Sequence, residues 1–207
     1  MGAESVLNIN LCSRDVRLLC GCGVKVAARD LKSCGVIRAG SSPATRTRIY
    51  MILVIDNLLP ESVSNHFQQE YSSLIYNINE DPVLPSLWEV AQLHYDLSDV
   101  VVVEKWIHTE KSINSINWHV DDDVKYKLDT GVSRLPKCTM LYYPYVASDL
   151  LGGWFCTHSE KIRPITNRAI IFDSHILHTV EPSRGDRVSI IYNPWNHEIE
   201  AYNGPVA

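Results

Sequence analysis

The chain has 207 residues, 45% of them hydrophobic and 21% charged, with a formal net charge of −5; that is ordinary for one globular domain with a sizeable core. No apolar run approaches the ~18 residues that a membrane helix needs. The N-terminus lacks the compact apolar stretch and small-residue cleavage site of a secretory leader, so a cytoplasmic protein without membrane contact is expected.

The charge divides near Met51. Residues 1–50 carry 8 Lys+Arg against 3 Asp+Glu, a net of +5; residues 51–207 carry 11 against 21, a net of −10, and the two give −5. None of the 8 His and only Tyr50 among the aromatic residues lies in the first fifty, which hold Cys12, Cys20, Cys22 and Cys34. Zinc is disfavoured there, because Cys20-Gly21-Cys22 is a CxC with irregular neighbours and no His. A basic nucleic-acid-binding tail is a second reading. The expectation adopted is a poorly ordered or non-native extension, with the folded domain spanning 51–207. Arg29-Asp30-Leu31-Lys32-Ser33, followed by Gly40 to Thr45, looks like conceptual translation through a transfer-RNA gene, which would make Met51 the start.

From Met51 onward, Met51 to Asp56 reads as an apolar strand. Pro60 and Glu61 open a helix running to about Tyr76, with Val63, Phe67, Tyr71 and Ile75 recurring every four residues. Asp81-Pro82 and Leu84-Pro85 mark a loop. Strands follow at Asp99–Trp106, Asn117–Val120, Cys138–Tyr143, Gly153–Thr157, Ala169–Phe172, His175–Val180 and Arg187–Tyr192. Short strands at intervals of roughly 8–15 residues, with Gly/Pro/Asn turns, predict a mainly β sandwich or jelly roll with flanking helices. Cys138 and Cys156 fall in strands and are expected as buried free thiols rather than a disulfide.

Chemistry concentrates in a few of these strands. His119-Val120-Asp121 places an imidazole and a carboxylate two positions apart, on one face of a strand. A second imidazole from a distant strand would complete a facial triad of two His and one carboxylate, which leaves positions open and suits non-haem Fe(II). Asp123 shares the strand face of Asp121, and both belong to the acidic run Asp121-Asp122-Asp123. His178 competes with His175, although an odd offset puts those two on opposite faces of a strand. Arg187 opens the apolar segment Arg187-Val188-Ser189-Ile190-Ile191-Tyr192, where a buried guanidinium needs an anion and can grip a carboxylate with two parallel bonds. Arg184, in the turn Pro182 to Asp186, is its solvated rival. Tyr143 and Tyr142 both fit plain core.

The ordered set of these residues resembles the Fe(II)/2-oxoglutarate-dependent oxygenases, in their prolyl-hydroxylase-like branch, over roughly Met51 to Trp195. The resemblance lies in HxD at His119-Val120-Asp121, Thr-x-x-x-Tyr at Thr139 to Tyr143, the pair Gly152-Gly153, Pro-x-x-x-Arg at Pro164 to Arg168, and His178 with Arg187 nine residues on. It implies a double-stranded β-helix, with His119, Asp121 and His178 as the catalytic metal ligands. It also implies that Arg187 and Tyr143 bind the far carboxylate of 2-oxoglutarate. The family pattern selects Asp121 over Asp123, His178 over His175 and Tyr143 over Tyr142. Gly152-Gly153 is read as a tight strand entry beside the site, and Asn167-Arg168 as a turn.

The implied cofactors are Fe(II), 2-oxoglutarate and O2, with ascorbate as an accessory reductant. The implied reaction is hydroxylation of an amino-acid side chain, peptidyl proline included, or of a small molecule, with release of succinate and CO2. Asp121 argues against halogenation, for which family members drop the carboxylate ligand. Two rivals stand beside this reading. A nucleic-acid demethylase of the same superfamily is disfavoured by the −10 charge of the domain and by Asn193, where that branch has a second Arg. A non-catalytic metal-binding jelly-roll module has no use for Arg187 and Tyr143. Substrate contacts are expected from Ser86–Ser98 and Thr109–Ile116; His108, His158 and His197 carry no motif.

Overall fold

The computed structural model describes residues 15–20, 25–27, 51–60, 72–109, 112–113 and 115–200. Its strands are β1 (Asp15–Cys20), β2 (Lys25–Ala27), β3 (Met51–Asp56), β4 (Ser72–Ile75), β5 (Val102–His108), β6 (Ser112–Ile113), β7 (Ile116–His119) and β8 (Thr139–Val146). They continue with β9 (Leu151–Gly152), β10 (Phe155–Thr157), β11 (Lys161–Ile162), β12 (Arg168–Phe172), β13 (His178–Val180), β14 (Ser183–Arg184) and β15 (Arg187–Trp195). Two α-helices are described, α1 (Leu84–Ala91) and α2 (Val124–Thr130).

The large sheet has the order β2-β1-β3-β12-β8-β15-β5-β4, and a small sheet has the order β11-β10-β13-β7. From β5 onward, apart from β6, β9 and β14, which form a third sheet of order β6-β14-β9, the chain alternates between them. β5, β8, β12 and β15 lie in the large sheet, and β7, β10 with β11, and β13 lie in the small one. All pairs are antiparallel. This alternation is the double-stranded β-helix, or jelly roll.

Two cores follow from the period-2 patterning of the large sheet. On its outer face Leu53, Ile55, Met140, Tyr142, Ile171 and Tyr192 cluster with Leu84, Leu87 and Val90 of α1. On its inner face Ile52, Val54, Leu141, Tyr143, Ile170 and Phe172 cluster with Phe155 and Ile162 of the small sheet. Each fully buried aliphatic side chain contributes about 1.5–3 kcal/mol, so packing rather than propensity holds the eight-residue α1 in place.

Asp81 anchors the start of α1. Its Oδ1 accepts from the amides of Val83 (2.8 Å) and Leu84 (3.0 Å) and from the Tyr192 hydroxyl (2.8 Å), and its Oδ2 lies 2.9 Å from Lys105 Nζ. Burial raises the Asp81 carboxyl pKa, but Lys105 and the two amides outweigh it and hold the group below its ordinary value.

Several boundaries differ from the sequence expectation. The helix expected over Pro60–Tyr76 is corrected at its end: Ser72–Ile75 is β4, paired with β5 at the sheet edge. Residues 61–71 lie outside the described residues. The loop expected at Leu84-Pro85 is the first turn of α1, where proline's missing N–H removes no bond. Residues 86–91 of the expected substrate loop Ser86–Ser98 are therefore part of a packed helix. α2 was not expected; Asp123 caps it by accepting from the Tyr126 amide at 3.0 Å, and Gly131 ends it at φ +72°. Cys138 and Cys156 are buried and free. In the N-terminal segment β1 pairs with β3 from Asp15↔Asp56 to Cys20↔Met51, and β2 pairs with β1.

Candidate functional site

His119 and His178 are direct cross-strand partners in the β7–β13 pair of the small sheet. Their ring centroids are 4.3 Å apart. Each ring is oriented by its own backbone: His119 Nδ1 donates to the Asn117 carbonyl at 2.8 Å, and His178 Nδ1 to the Ile176 carbonyl at 3.0 Å. Using Nδ1 as the donor leaves the Nε2 lone pair of each ring for a metal.

Both Nε2 atoms face Asp121. His119 Nε2 lies 3.9 Å from Asp121 Oδ1, and His178 Nε2 lies 3.9 Å from Asp121 Oδ2. One ligand atom from each of the three lies within 4.8 Å of the others. The carboxylate is held from the large sheet, where Thr139 Oγ1 donates to Asp121 Oδ2 at 2.6 Å. Asp121 itself sits two residues past the end of β7, so the shared strand face expected of His119 and Asp121 is replaced by a turn held through Thr139.

His178 is buried at 5% exposure, stacked on Phe155 and edge-on to Phe172. Burial depresses its pKa first; Asp121 pulls it up and His119 pushes it down. The neutral imidazole is the form a metal requires. His175 lies in the turn before β13 rather than in a strand and stands outside the cluster, so the face argument against it is replaced by position. Asp123 is committed to capping α2 and lies 3.4 Å from His197 Nε2. The donor set present is thus two imidazoles and one carboxylate, an N2O set that fits a divalent first-row metal with open positions.

A second group of polar residues lies deeper between the sheets. Arg187 is buried, and its Nη1 donates to the Gly153 carbonyl at 2.8 Å. Gly152 and Gly153 make this possible, with φ of +73° and +70°. A Cβ on Gly152 would fall 2.1 Å from the Pro182 carbonyl oxygen, and one on Gly153 would meet Arg187 Nη1 at 3.0 Å and Ser183 Cβ at 3.1 Å. Tyr143 is fully buried, and its hydroxyl has no hydrogen-bond partner among the described residues. Burial pushes its pKa up to about 12, against the pull of Arg187 and Arg168. The Ser183 hydroxyl is likewise without a partner there. Buried hydroxyls are costly when unsatisfied, so a cationic guanidinium beside two waiting donors fits a small dicarboxylate.

Tyr142 belongs to the opposite face, in the outer core, and Arg184 is exposed on β14. Arg168, expected in a turn, instead begins β12; its Nε and Nη2 hold Asp56 at 2.5 and 2.9 Å, while Asn167 supplies the turn at φ +63°. Sequence reasoning gave no role to Thr139, Ser183, Phe155 or Phe172. Thr139 was within reach, because it opens the Thr-x-x-x-Tyr pattern; Ser183 carried no signal. Among the unassigned histidines, His158 stacks on the exposed Trp118 at 4.8 Å. No described helix is long and apolar enough to cross a membrane.

No protein-family model matches the chain, and no curated protein matches it. Similar solved structures include the viral collagen prolyl hydroxylase of Paramecium Bursaria Chlorella virus-1 in its 2OG complex. It is 15% identical over 69% of this chain and 94% of that one, with a TM-score of 0.46. Prolyl 4-hydroxylases from Phytophthora capsici give 17% identity over 69% of this chain and 57% of that one, at TM-score 0.45. A 2OG-Fe(II) oxygenase family oxidoreductase from Burkholderia pseudomallei gives 15% identity over 48% and 46%, at TM-score 0.34.

Proposed function

We propose that the chain is an Fe(II)- and 2-oxoglutarate-dependent dioxygenase that hydroxylates an amino-acid side chain or a small molecule. The observation that carries this reading is the pairing of two sites in one barrel: a two-His, one-carboxylate cluster and, deeper, a buried Arg187 beside the unpartnered Tyr143 hydroxyl. A structural metal would need the first but not the second.

When bound, iron and 2-oxoglutarate supply the oxidising chemistry, which inserts one oxygen atom into a substrate C–H bond as 2-oxoglutarate becomes succinate and CO2. The chain's own residues bind and orient. His119, Asp121 and His178 hold the metal through Nε2, a carboxylate oxygen and Nε2. Thr139 fixes the carboxylate, and the Asn117 and Ile176 carbonyls fix the ring tautomers. Arg187 takes the far carboxylate of 2-oxoglutarate, with Tyr143 donating its hydroxyl to the same group. Phe155 and Phe172 wall the site against water around His178. Ascorbate is proposed as an accessory reductant, and the working compartment as the cytoplasm.

The test is succinate formation from 2-oxoglutarate on adding Fe(II) and O2, with mass spectrometry of candidate peptides and small molecules for a gain of one oxygen. Metal binding without any 2-oxoglutarate turnover or affinity would favour the non-catalytic module instead.

A further inference from the structure

Beside the metal-binding cluster, the inner face of the large sheet carries a carboxyl group with no cationic partner among the described residues. On β5, Val103 and Ile107 pack into the outer core, so Glu104 and Trp106 point to the inner face. On β15 Tyr192 belongs to the outer core, so Asn193 points inward as well. Glu104 and Asn193 are direct cross-strand partners. The β15–β8 register ends at Tyr192↔Met140, so the next residues along, Asn193 and Thr139, stand level. Thr139 is the residue that holds Asp121. Glu104, Asn193 and Thr139 therefore form one transverse row at the metal end of the sheet, with strands about 4.8 Å apart. Tyr143 lies two rows further in, at the 2-oxoglutarate end.

Glu104 is half-buried and forms no ion pair among the described residues. The N–H groups of Trp106, Asn193 and Trp195 are directed at it, which offsets part of its desolvation; the Trp195 indole N–H stays short of a full hydrogen bond. Asn193 is buried at 3% exposure, and its Oδ1 has no hydrogen-bond partner among the described residues. Neutral donors cancel no charge there; burial, with Asp121 adding to it, pushes the Glu104 carboxyl above its ordinary value, so a cation beside it would stabilise the carboxylate. The wall thus offers one carboxyl that a cation would hold ionised, and one acceptor unpartnered among the described residues, within a row of the residue that holds Asp121, in a domain whose net charge is −10.

We infer that Glu104 and Asn193 form the substrate-orienting subsite, and that the substrate carries a protonated nitrogen, an ammonium or a guanidinium, that pairs with Glu104 and donates to Asn193 Oδ1. The inference rests on the oxygenase reading above and narrows its substrate to cationic side chains or amines. The half-buried Trp106 indole beside Glu104 suits such a group, since cations are attracted to aromatic faces.

The test uses the full chain loaded with Fe(II) and 2-oxoglutarate under nitrogen, so that binding is read without turnover. Acetyl-Gly-X-Gly-amide with X as Arg, Lys, citrulline or norleucine is titrated, following tryptophan fluorescence. n-Butylguanidine and n-butylamine are titrated in parallel, to separate a peptide-borne cation from a free one. Saturable binding of the Arg or Lys peptide, or of either amine, is expected, with citrulline and norleucine at least ~10-fold weaker. Glu104→Gln should lose at least ~10-fold for the cation while its melting temperature and 2-oxoglutarate affinity stay unchanged. Asn193→Leu should lose less. Equal binding of citrulline and arginine, or an unimpaired Glu104→Gln, would overturn the subsite. Equilibrium dialysis of 2-oxoglutarate alone separates the two readings. If 2-oxoglutarate binds but cations are not preferred, only the subsite falls. If it fails to bind, the oxygenase reading falls, and the titrations without it still judge Glu104.

Discussion

The Thr139 hydroxyl donates to the Asp121 carboxylate across the barrel at 2.6 Å, a hydrogen bond that ties the metal-binding cluster to the large sheet. Thr139 is 2% exposed, and Asp121 sits in an irregular turn after β7 with no strand of its own to aim it. Thr139→Val keeps the β-branched shape but removes the donor. Metal affinity should fall by about 10–100-fold, the usual cost of losing an outer-shell partner. Isothermal titration with Fe(II), or with a non-oxidisable divalent ion, measures this; an unchanged affinity would mean the turn alone orients Asp121.

Replacing any one of His119, Asp121 and His178 by Ala should abolish turnover and leave less than one metal per chain, because the remaining two ligands are misoriented. His175→Ala should keep both, since His175 stands outside the cluster. An active His178→Ala beside a dead His175→Ala would reverse the choice of histidine.

Arg187→Ala should raise the apparent Michaelis constant for 2-oxoglutarate by at least ~10-fold, as charge-assisted bonds here are worth roughly 1.5–3 kcal/mol each. Metal affinity should change little. Arg187→Lys should recover part of the loss, keeping the charge without the planar fork. Tyr143→Phe should cost less, and the exposed Arg184 should be silent. If Arg184→Ala carried the dependence, the assignment of β15 to the cofactor would be wrong.

Asp81 should make the protein acid-sensitive. Its folded carboxyl is held below the ordinary carboxyl range by Lys105 and two amides that outweigh burial. A depressed carboxyl stabilises the fold fully above that range, and the contribution is lost as pH falls through the folded value beneath it. Asp81→Asn strands the Lys105 charge and should cost about 3 kcal/mol at pH 7. Urea unfolding at pH 7 and pH 3 should show the gap between wild type and variant narrowing in acid. A gap of constant size would assign the loss to the Tyr192 and amide bonds instead.

A variant beginning at Met51 should fold and bind metal with unchanged affinity. Its loss falls on the far edge of the large sheet, where β1 covers β3, while β3 keeps its pairing with β12. Arg17 is more than half exposed, and Asp56 retains Arg168, so that ion pair is a small term. A collapse in solubility or melting temperature on truncation would show that β1 is needed to protect the edge.

How much of this was legible in the chain depends on the distance over which each feature is set. Val and Ile alternation placed most strands of the barrel, and motif order brought His119, Asp121, His178, Arg187 and Tyr143 to notice. What escaped was decided by partners far away in sequence. Ser72–Ile75 is a strand because β5 offers it an edge, although Ile75 continues a four-residue period from Val63. Pro85 reads as a breaker until its place in a first turn is seen. Glu104 looks like a solvated interruption in a run of Val, and only its register with Asn193 turns it toward the metal.

The ladder pair His119↔His178 has a mechanical side. Both imidazoles belong to the small sheet, while the carboxylate they face is tied to the large one through Thr139. A bound ion would therefore act as a rivet between the two leaves of the sandwich, and as a lock on strand alignment. Slipping β7 by one residue would swing His119 outward and bring Trp118 or Val120 to the interior, so the ion would tolerate a single alignment. Stripping it should loosen this end first, with amide exchange quickening in β7 and β13, while the opposite end keeps the Arg168 Nη1 bond to the Arg163 carbonyl beside β11.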